Sequence, residues 1–225
     1  MNKFGVIIGN IRNPIVFAWG FFLFLNFGCI VYGHSQKVIE KSWDTSVFDK
    51  LEIVSDEVFK IKIETKPTSV IKLTTKIEGE NFENVTLEAS EKVKTLTLKP
   101  TYSPYFEAKN NKLAAHKLIS IEMTLTLPES MEVFINATIA SLEMHGKILN
   151  LDVNLRDGHC VLYNFIGNAS LNTKQGDITV FAKENVSGIA SSKNGMVLNQ
   201  LLNEGLYLLK AQSVNGNISL LKTPK

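Results

Sequence analysis

The chain of 225 residues has two cysteines, and Cys29 lies inside an apolar N-terminal run, so a disulfide framework is excluded. Net charge is equally scarce. Lys3 and Arg12 are the only charges among the first 35 residues, and removing that segment leaves 24 − 2 = 22 basic against 22 acidic residues. A neutral remainder excludes a general electrostatic case for binding DNA, RNA or anionic lipid. Helical periodicity is missing too: nothing after residue 35 sustains it over ten residues. Charged residues at 20% and apolar residues at 44% nevertheless describe a globular chain rather than a disordered one.

What is present begins with an export signal. Ile15 to Tyr32 is an 18-residue run with one polar side chain, Asn26, preceded by Lys3 and Arg12. A positive flank before an apolar run marks a segment whose leading end stays in the cytoplasm. The small residues Gly33 and Ser35 place cleavage between Ser35 and Gln36, with cleavage after Gly33 second. An uncleaved anchor and lipid attachment at Cys29 are the alternatives, the latter without the usual Leu at the position of Asn26. Each takes the rest of the chain out of the cytoplasm.

From Leu51 onward the apolar period is two. Phe59 to Glu64 alternates apolar and charged residues, and Val70–Ile77, Val85–Ala89, Val93–Leu98 and Ile119–Leu127 continue the pattern up to Pro128. A polar loop from Pro100 to Lys117, with Pro104, Asn110 and Asn111, separates the last two. The reading is all-β.

The second half repeats. Gly158, Gly176, Gly195 and Gly216, with Ala140 one unit earlier, serve as anchors spaced by 18, 18, 19 and 21 residues. Two residues after them stand Leu142, Cys160, Ile178, Val197 and Ile218; four after stand Met144, Leu162, Val180, Asn199 and Leu220. Five before stand Ile135, Val153, Leu171, Ala190 and Ala211; seven before, Val133, Leu151, Ala169, Gly188 and Leu209. Four before runs a polar column, Asn136, Asn154, Asn172, Ser191 and Gln212. Only Gly188 and Asn199 break the four apolar columns. Two short strands per unit, joined by a corner rich in Asn and Gly and stacked at ~4.8 Å, would bury these columns over one another. The expectation is a single-chain β-solenoid (β-helix) of about five coils over residues 129–225. An antiparallel β-sheet layer over 36–128 precedes and caps it, after a signal peptide or anchor over 1–35. Inward positions at intervals of two, seven and two exclude the six-residue helices common in acyltransferases.

Leu51-Glu52-Ile53, then Ile121 to Pro128, then Asn154-x-x-x-Gly158-x-Cys160-x-Leu162 and Asn172-x-x-x-Gly176-x-Ile178-x-Val180 form a recognisable series. Over roughly residues 38 to 222 it resembles the adhesin-like β-strand-repeat domains of unknown function found in exported bacterial proteins. That resemblance implies a β-helical envelope protein and carries no catalytic signature.

Candidate chemistry is thin. Asp157-Gly158-His159-Cys160 suggests a nucleophile with its base and orienter. Cys160, however, shares a column with Ile178 and Val197, and His159 should face the other way. His34, His116, His145 and His159 show no metal-ligand spacing. After Ala140 the only arginine is Arg156, so the outward acid and Arg cluster of a polysaccharide lyase is not evident. Sequons at Asn84, Asn136, Asn168, Asn185 and Asn217 follow from a repeat rich in Asn, Ser and Thr. Lys60, Lys62, Lys72 and Lys76, interleaved with Glu64 and Glu78, read as a solvated sheet face. No catalytic, cofactor or metal residue is assigned and no cofactor is expected. The functional expectation is a non-enzymatic envelope or surface protein presenting an extended β-face to a glycan or a protein, with self-association through the C-terminal coil. An exported carbohydrate-active enzyme and a structural or signalling envelope component are the alternatives. Membrane contact is expected only through the N-terminal segment.

Overall fold

The computed structural model describes residues 36–103, 119–201 and 203–224. The segment expected to be an export signal, with Cys29 and His34, and His116 and most of the polar loop before β7 lie outside them. The described strands are β1 (Gln36–Asp44), β2 (Lys50–Ser55), β3 (Val58–Lys66), β4 (Val70–Gly79), β5 (Val85–Lys92), β6 (Thr95–Tyr102), β7 (Ile119–Pro128) and β8 (Glu132–Ala137). They continue as β9 (Ser141–Asp157), β10 (Cys160–Gln175), β11 (Ile178–Ala182), β12 (Val186–Ser192), β13 (Val197–Asn199), β14 (Tyr207–Asn215) and β15 (Ile218–Lys222).

All fifteen belong to one sheet. One wall of it runs β5-β6-β2-β8-β9-β10-β14-β12, and the other runs β1-β4-β7-β3-β9-β10-β11-β15-β13. The long strands β9 and β10 belong to both walls. Their first halves pair in the second wall and their second halves in the first, with bends at Gly146 (φ 109°) and at Asn164 (φ 51°). Apolar side chains at alternate positions therefore point into the space between the walls. Leu51, Val133, Leu151, Ala169 and Leu209 line it from the first wall; Ile61, Leu142, Cys160, Ile178 and Ile218 line it from the second, all buried.

This architecture corrects the expected solenoid. The molecule is all-β, but it is a single 15-stranded sheet curled into a nearly closed, barrel-like wall rather than five coils behind a cap. Three observations overturn the expectation. First, β2 and β3, from the region expected to cap, pair in parallel with β8 and β9 and carry the same core. Second, antiparallel strands β1, β4 and β7 extend one wall while β5 extends the other, and lysines bridge the two extensions. Lys37 Nζ donates to Glu83 O at 3.0 Å and Val85 O at 2.8 Å, and Lys41 Nζ to Leu87 O at 3.2 Å. Third, the tiers do not follow chain order. β14 lies between β10 and β12, and β15 between β11 and β13, so the last repeat inserts between the third and the fourth.

The corners record the same order. A Cβ added to Gly158 would lie 1.9 Å from Ala140 O; on Gly176, 2.0 Å from Gly158 O; on Gly216, 2.0 Å from Gly176 O; on Gly195, 2.0 Å from Gly216 O. The anchors are glycine because successive corners touch backbone to backbone. The residue after each anchor adds a side-chain ladder. His159 N donates to Ser141 Oγ (3.4 Å), Asp177 N to His159 Nδ1 (3.1 Å), Asn217 N to Asp177 Oδ1 (2.7 Å) and Met196 N to Asn217 Oδ1 (2.9 Å). The ladder ends on Met196 because no tier lies beyond it to need an acceptor.

The two residues that break the apolar columns sit in that terminal tier. Asn199 Nδ2 donates to Gly188 O at 2.7 Å, and its Oδ1 accepts from Leu201 N at 3.0 Å. An amide facing the open end thus ties off backbone groups that an aliphatic residue would leave unpaired. The C-terminal strands β14 and β15 lie inside the sheet, each with a neighbour on both sides, and the terminal tier is that of β12 and β13.

Candidate functional site

The outer face of the first wall is a lattice of amides. Parallel register places Asn136, Asn154, Asn172, Gln212 and Ser191 in one row across five strands. A second row holds Phe134, Asp152, Ser170 and Lys210, and a third Glu132, Asn150 and Asn168, whose Oδ1 accepts from Leu208 N at 3.1 Å. The rows are laced together. Asn172 Nδ2 donates to Asn154 Oδ1 at 3.1 Å, Asn154 Nδ2 to Asp152 Oδ1 at 2.8 Å, and Asn168 Nδ2 to Asn150 Oδ1 at 3.3 Å. Each amide has two donors and a carbonyl with two lone pairs, so the ladder leaves part of that capacity facing solvent. Phe134 is 40% exposed. A shallow depression of about 370 Å³ lies beside it, floored by Ala169 and Leu151 and edged by Asn150, Asp152, Asn168 and Lys210.

The carboxylates on this face do not form an acid–base pair. Glu132 is ion-paired with Lys50 at 3.0 Å and Glu52 accepts from Thr97 Oγ1 at 3.0 Å, while Asp152 is held by Asn154. In the register, Phe134 stands between Glu52 and Asp152. General acid–base chemistry needs two carboxyls facing one substrate atom set, and here each faces a different neighbour.

The outer face of the second wall carries several ion pairs of its own, and Lys72 and Lys76 of β4 stand exposed on it. Lys60 pairs with Glu143 at 3.3 Å, and Lys62 pairs with Glu122, whose hydrogen bond raises the Lys62 pKa. Partial burial pushes the Glu143 carboxyl up, but the hydrogen bonds from His145 and Lys60 outweigh it and leave its pKa lowered. Rings stack across adjacent strands, His145 on Tyr163 at 4.5 Å and 18°, and Tyr163 on Phe181 at 5.6 Å and 6°. Stacked this way, Tyr163 has both faces turned to a neighbouring ring, which leaves its edge rather than a face for a ligand.

The structure separates the residues of the suspected nucleophile motif. Cys160 is fully buried in the core, and burial pushes its thiol pKa up to about 12. His159 projects from the corner, its Nδ1 accepting the Asp177 N–H. Asp157 is paired with Arg156 at 2.8 Å. A thiolate nucleophile needs a lowered pKa and a base within reach, and Cys160 has neither. His145 is engaged by Glu143 and Tyr163. Among the described residues no group of three His, Cys, Asp or Glu side chains could hold a metal ion. The sequons Asn136, Asn168, Asn185 and Asn217 are all at least partly exposed, and Asn168 and Asn217 use their side chains between strands. Sequence reasoning found the row beginning at Asn136. It missed the row of Asn150 and Asn168, although those two stand at the same 18-residue spacing.

No family model matches the chain, and no curated protein does. Solved structures do. A Clostridium sporogenes protein provisionally named for cell adhesion aligns with a TM-score of 0.59 and 18% identity, over 84% of this chain and 100% of that one. A provisionally named adhesin from Bacteroides fragilis aligns with a TM-score of 0.37 and 14% identity, over 84% of this chain and 98% of its own. Another, from Parabacteroides distasonis, gives 0.29 and 11%, over 83% and 98%. The chain therefore shares its fold with the Clostridium protein, a bacterial protein named for adhesion and not for an enzymatic activity.

Proposed function

We propose that this chain is an exported, non-enzymatic, adhesin-like surface protein that binds glycans through the outer face of its first wall. The observation that carries the reading is the amide lattice with its exposed ring. Rows containing Asn136, Asn154, Asn172, Asn150 and Asn168 repeat at the strand spacing of ~4.8 Å beside Phe134. Sugars are recognised by planar donors and acceptors that match vicinal hydroxyls, together with an apolar surface against a ring face. This face has both, on a rigid sheet that fixes their spacing. The apolar run Ile15–Tyr32 behind Lys3 and Arg12 supports export. The provisional cell-adhesion name of the Clostridium sporogenes protein agrees with the reading.

The test is retention of the purified chain on an array of immobilised glycans, with Phe134→Ala and Asn154→Ala beside it and Lys62→Ala, on the opposite face, as control. The expected result is selective retention that the first two substitutions weaken and the third does not. Retention that depends on Lys62 and not on Phe134 places binding on the wrong wall and sinks the proposal. Shortening of a soluble oligosaccharide by the chain would make it an enzyme instead.

A further inference from the structure

The interchange of the last two tiers has a cost at one corner. Where β9 and β10 cross from one wall to the other, the interior is filled by Ile148 and Phe165, which are 1% and 0% exposed. Phe165 pairs in register with Ala182, and Ala182 with Lys222. In successive tiers the position thus changes from a large ring to a methyl group to a charged side chain. The chain does not cross directly there. It leaves β11 through Lys183, Glu184 and Asn185 to reach β12 at the end of the sheet, while β15 ends at Lys222, with Thr223 and Pro224 after it. None of these described residues places a ring at the position of Phe165.

What remains is a cavity of about 850 Å³ open to solvent. Its volume falls within the ~300–1,000 Å³ of sites that take small organic ligands. Ile166, Ala182, Val186 and Leu201 give it an apolar lining, and Ala182 and Val186 are each 1% exposed. Lys183 and Lys222 line it too, and no ion pair engages either among the described residues. Glu184 is the one acid in the described lining, so the balance there is positive.

We propose that this corner cavity binds a single-chain amphiphile with an anionic head, of the long-chain carboxylate class. The alkyl chain takes the volume that Phe165 fills one tier earlier, and the carboxylate meets Lys183 and Lys222. Burying the chain removes apolar area from water, which drives its uptake. The paired ammonium groups select the charge of the head. The site shares no lining residue with the depression beside Phe134 and does not depend on the glycan reading.

The experiment is titration calorimetry of the full chain with monomeric laurate, dodecyltrimethylammonium and dodecanol. Lys183→Glu combined with Lys222→Glu reverses the charge of two exposed side chains. Ala182→Phe places a ring at that position and takes up part of the cavity beside it. Laurate is expected to bind at one site, more tightly than the cation, and each variant is expected to weaken it about tenfold or more. The N-terminal apolar run can also take up amphiphile, so the loss caused by the variants, rather than uptake itself, decides. Laurate binding unchanged by the lysine reversal overturns the proposal, and this variant preserves the core if Ala182→Phe fails to fold. Equal affinity for the cation, or uptake only of anionic phospholipid vesicles, overturns it as well.

Discussion

Replacing Gly176 by alanine tests the stacking of the corners. The residue has φ 139°, and an added Cβ would lie 2.0 Å from Gly158 O and 2.6 Å from its carbonyl carbon. Ordinary contact begins near 3.4 Å, so tiers must part by 3.4 − 2.0 = 1.4 Å, and the obstacle is backbone that cannot swing aside. Strain at such a φ costs ~1–3 kcal/mol and overpacking a further ~1–3 kcal/mol. The sum, about 2–6 kcal/mol, is a large share of the ~5–15 kcal/mol that holds a domain folded. Urea unfolding at unchanged m-value measures it. Gly195→Ala against Gly216→Ala is the decisive comparison for tier order, because neither residue has the strained φ of Gly176. The added Cβ would lie 2.0 Å from Gly216 O in the first and from Gly176 O in the second, but the Gly195 tier is terminal and can move outward while the Gly216 tier is enclosed. The loss for Gly195→Ala should be less than half that for Gly216→Ala. Were the tiers stacked in chain order, Gly216 would be terminal and Gly195 enclosed, and the larger loss would pass to Gly195→Ala. A loss below ~0.5 kcal/mol for Gly176→Ala would refute the close stacking altogether.

Three further outcomes are expected. Val180 is fully buried between Leu162 and Leu220, so Val180→Asp should cost several kcal/mol, and an unchanged melting temperature would contradict its inward placement. With Cys29 replaced by serine, Cys160 should react with a thiol reagent only as fast as the chain unfolds; immediate labelling of the folded chain would contradict its burial. Burial, and then the neighbouring Asp56, raise the Glu57 carboxyl above its ordinary value of 4.5, and its Oε2 is buried without a hydrogen-bond partner among the described residues. The folded chain thus holds that proton more tightly than the unfolded one, so stability falls as pH rises from 4.5 through the raised value. Glu57→Gln should therefore stabilise the chain near pH ~7 and lose that advantage below pH ~4, and a pH-independent difference in unfolding free energy would contradict this.

Much of the interior was legible because its signal is local. Alternation puts Leu142, Met144, Leu162 and Val180 inside whichever strands they meet. The polar row starting at Asn136 was visible for the same reason. Tier order was not legible, because units of 18 to 21 residues fit either stacking sequence and pairing between distant strands leaves no trace in local spacing. A trace does exist at the edge. Gly188, Met196 and Asn199 each depart from their column, and all three fall in one repeat, the one that ends the sheet. Read together, they mark a terminal tier in mid-sequence. The parallel pairing of β2 and β3 with β8 and β9 was hidden because Leu51–Ile53 and Ile61–Ile63 lack a glycine anchor between them. Here Ser55 Oγ accepts from Glu57 N and Val58 N and makes the corner. The corner cavity had no local signal, since it arises from the absence of a side chain where two distant segments pass.

The most direct test of the account is where the chain resides and where it starts. Intact cells would be treated with protease, and the intact mass of the protein taken from untreated cells. The account predicts a mass beginning at Gln36 and loss of the protein on treatment of unbroken cells. Protection until the envelope is broken, or a mass that retains residues 1–35, would contradict a processed protein presenting its asparagine face at the surface.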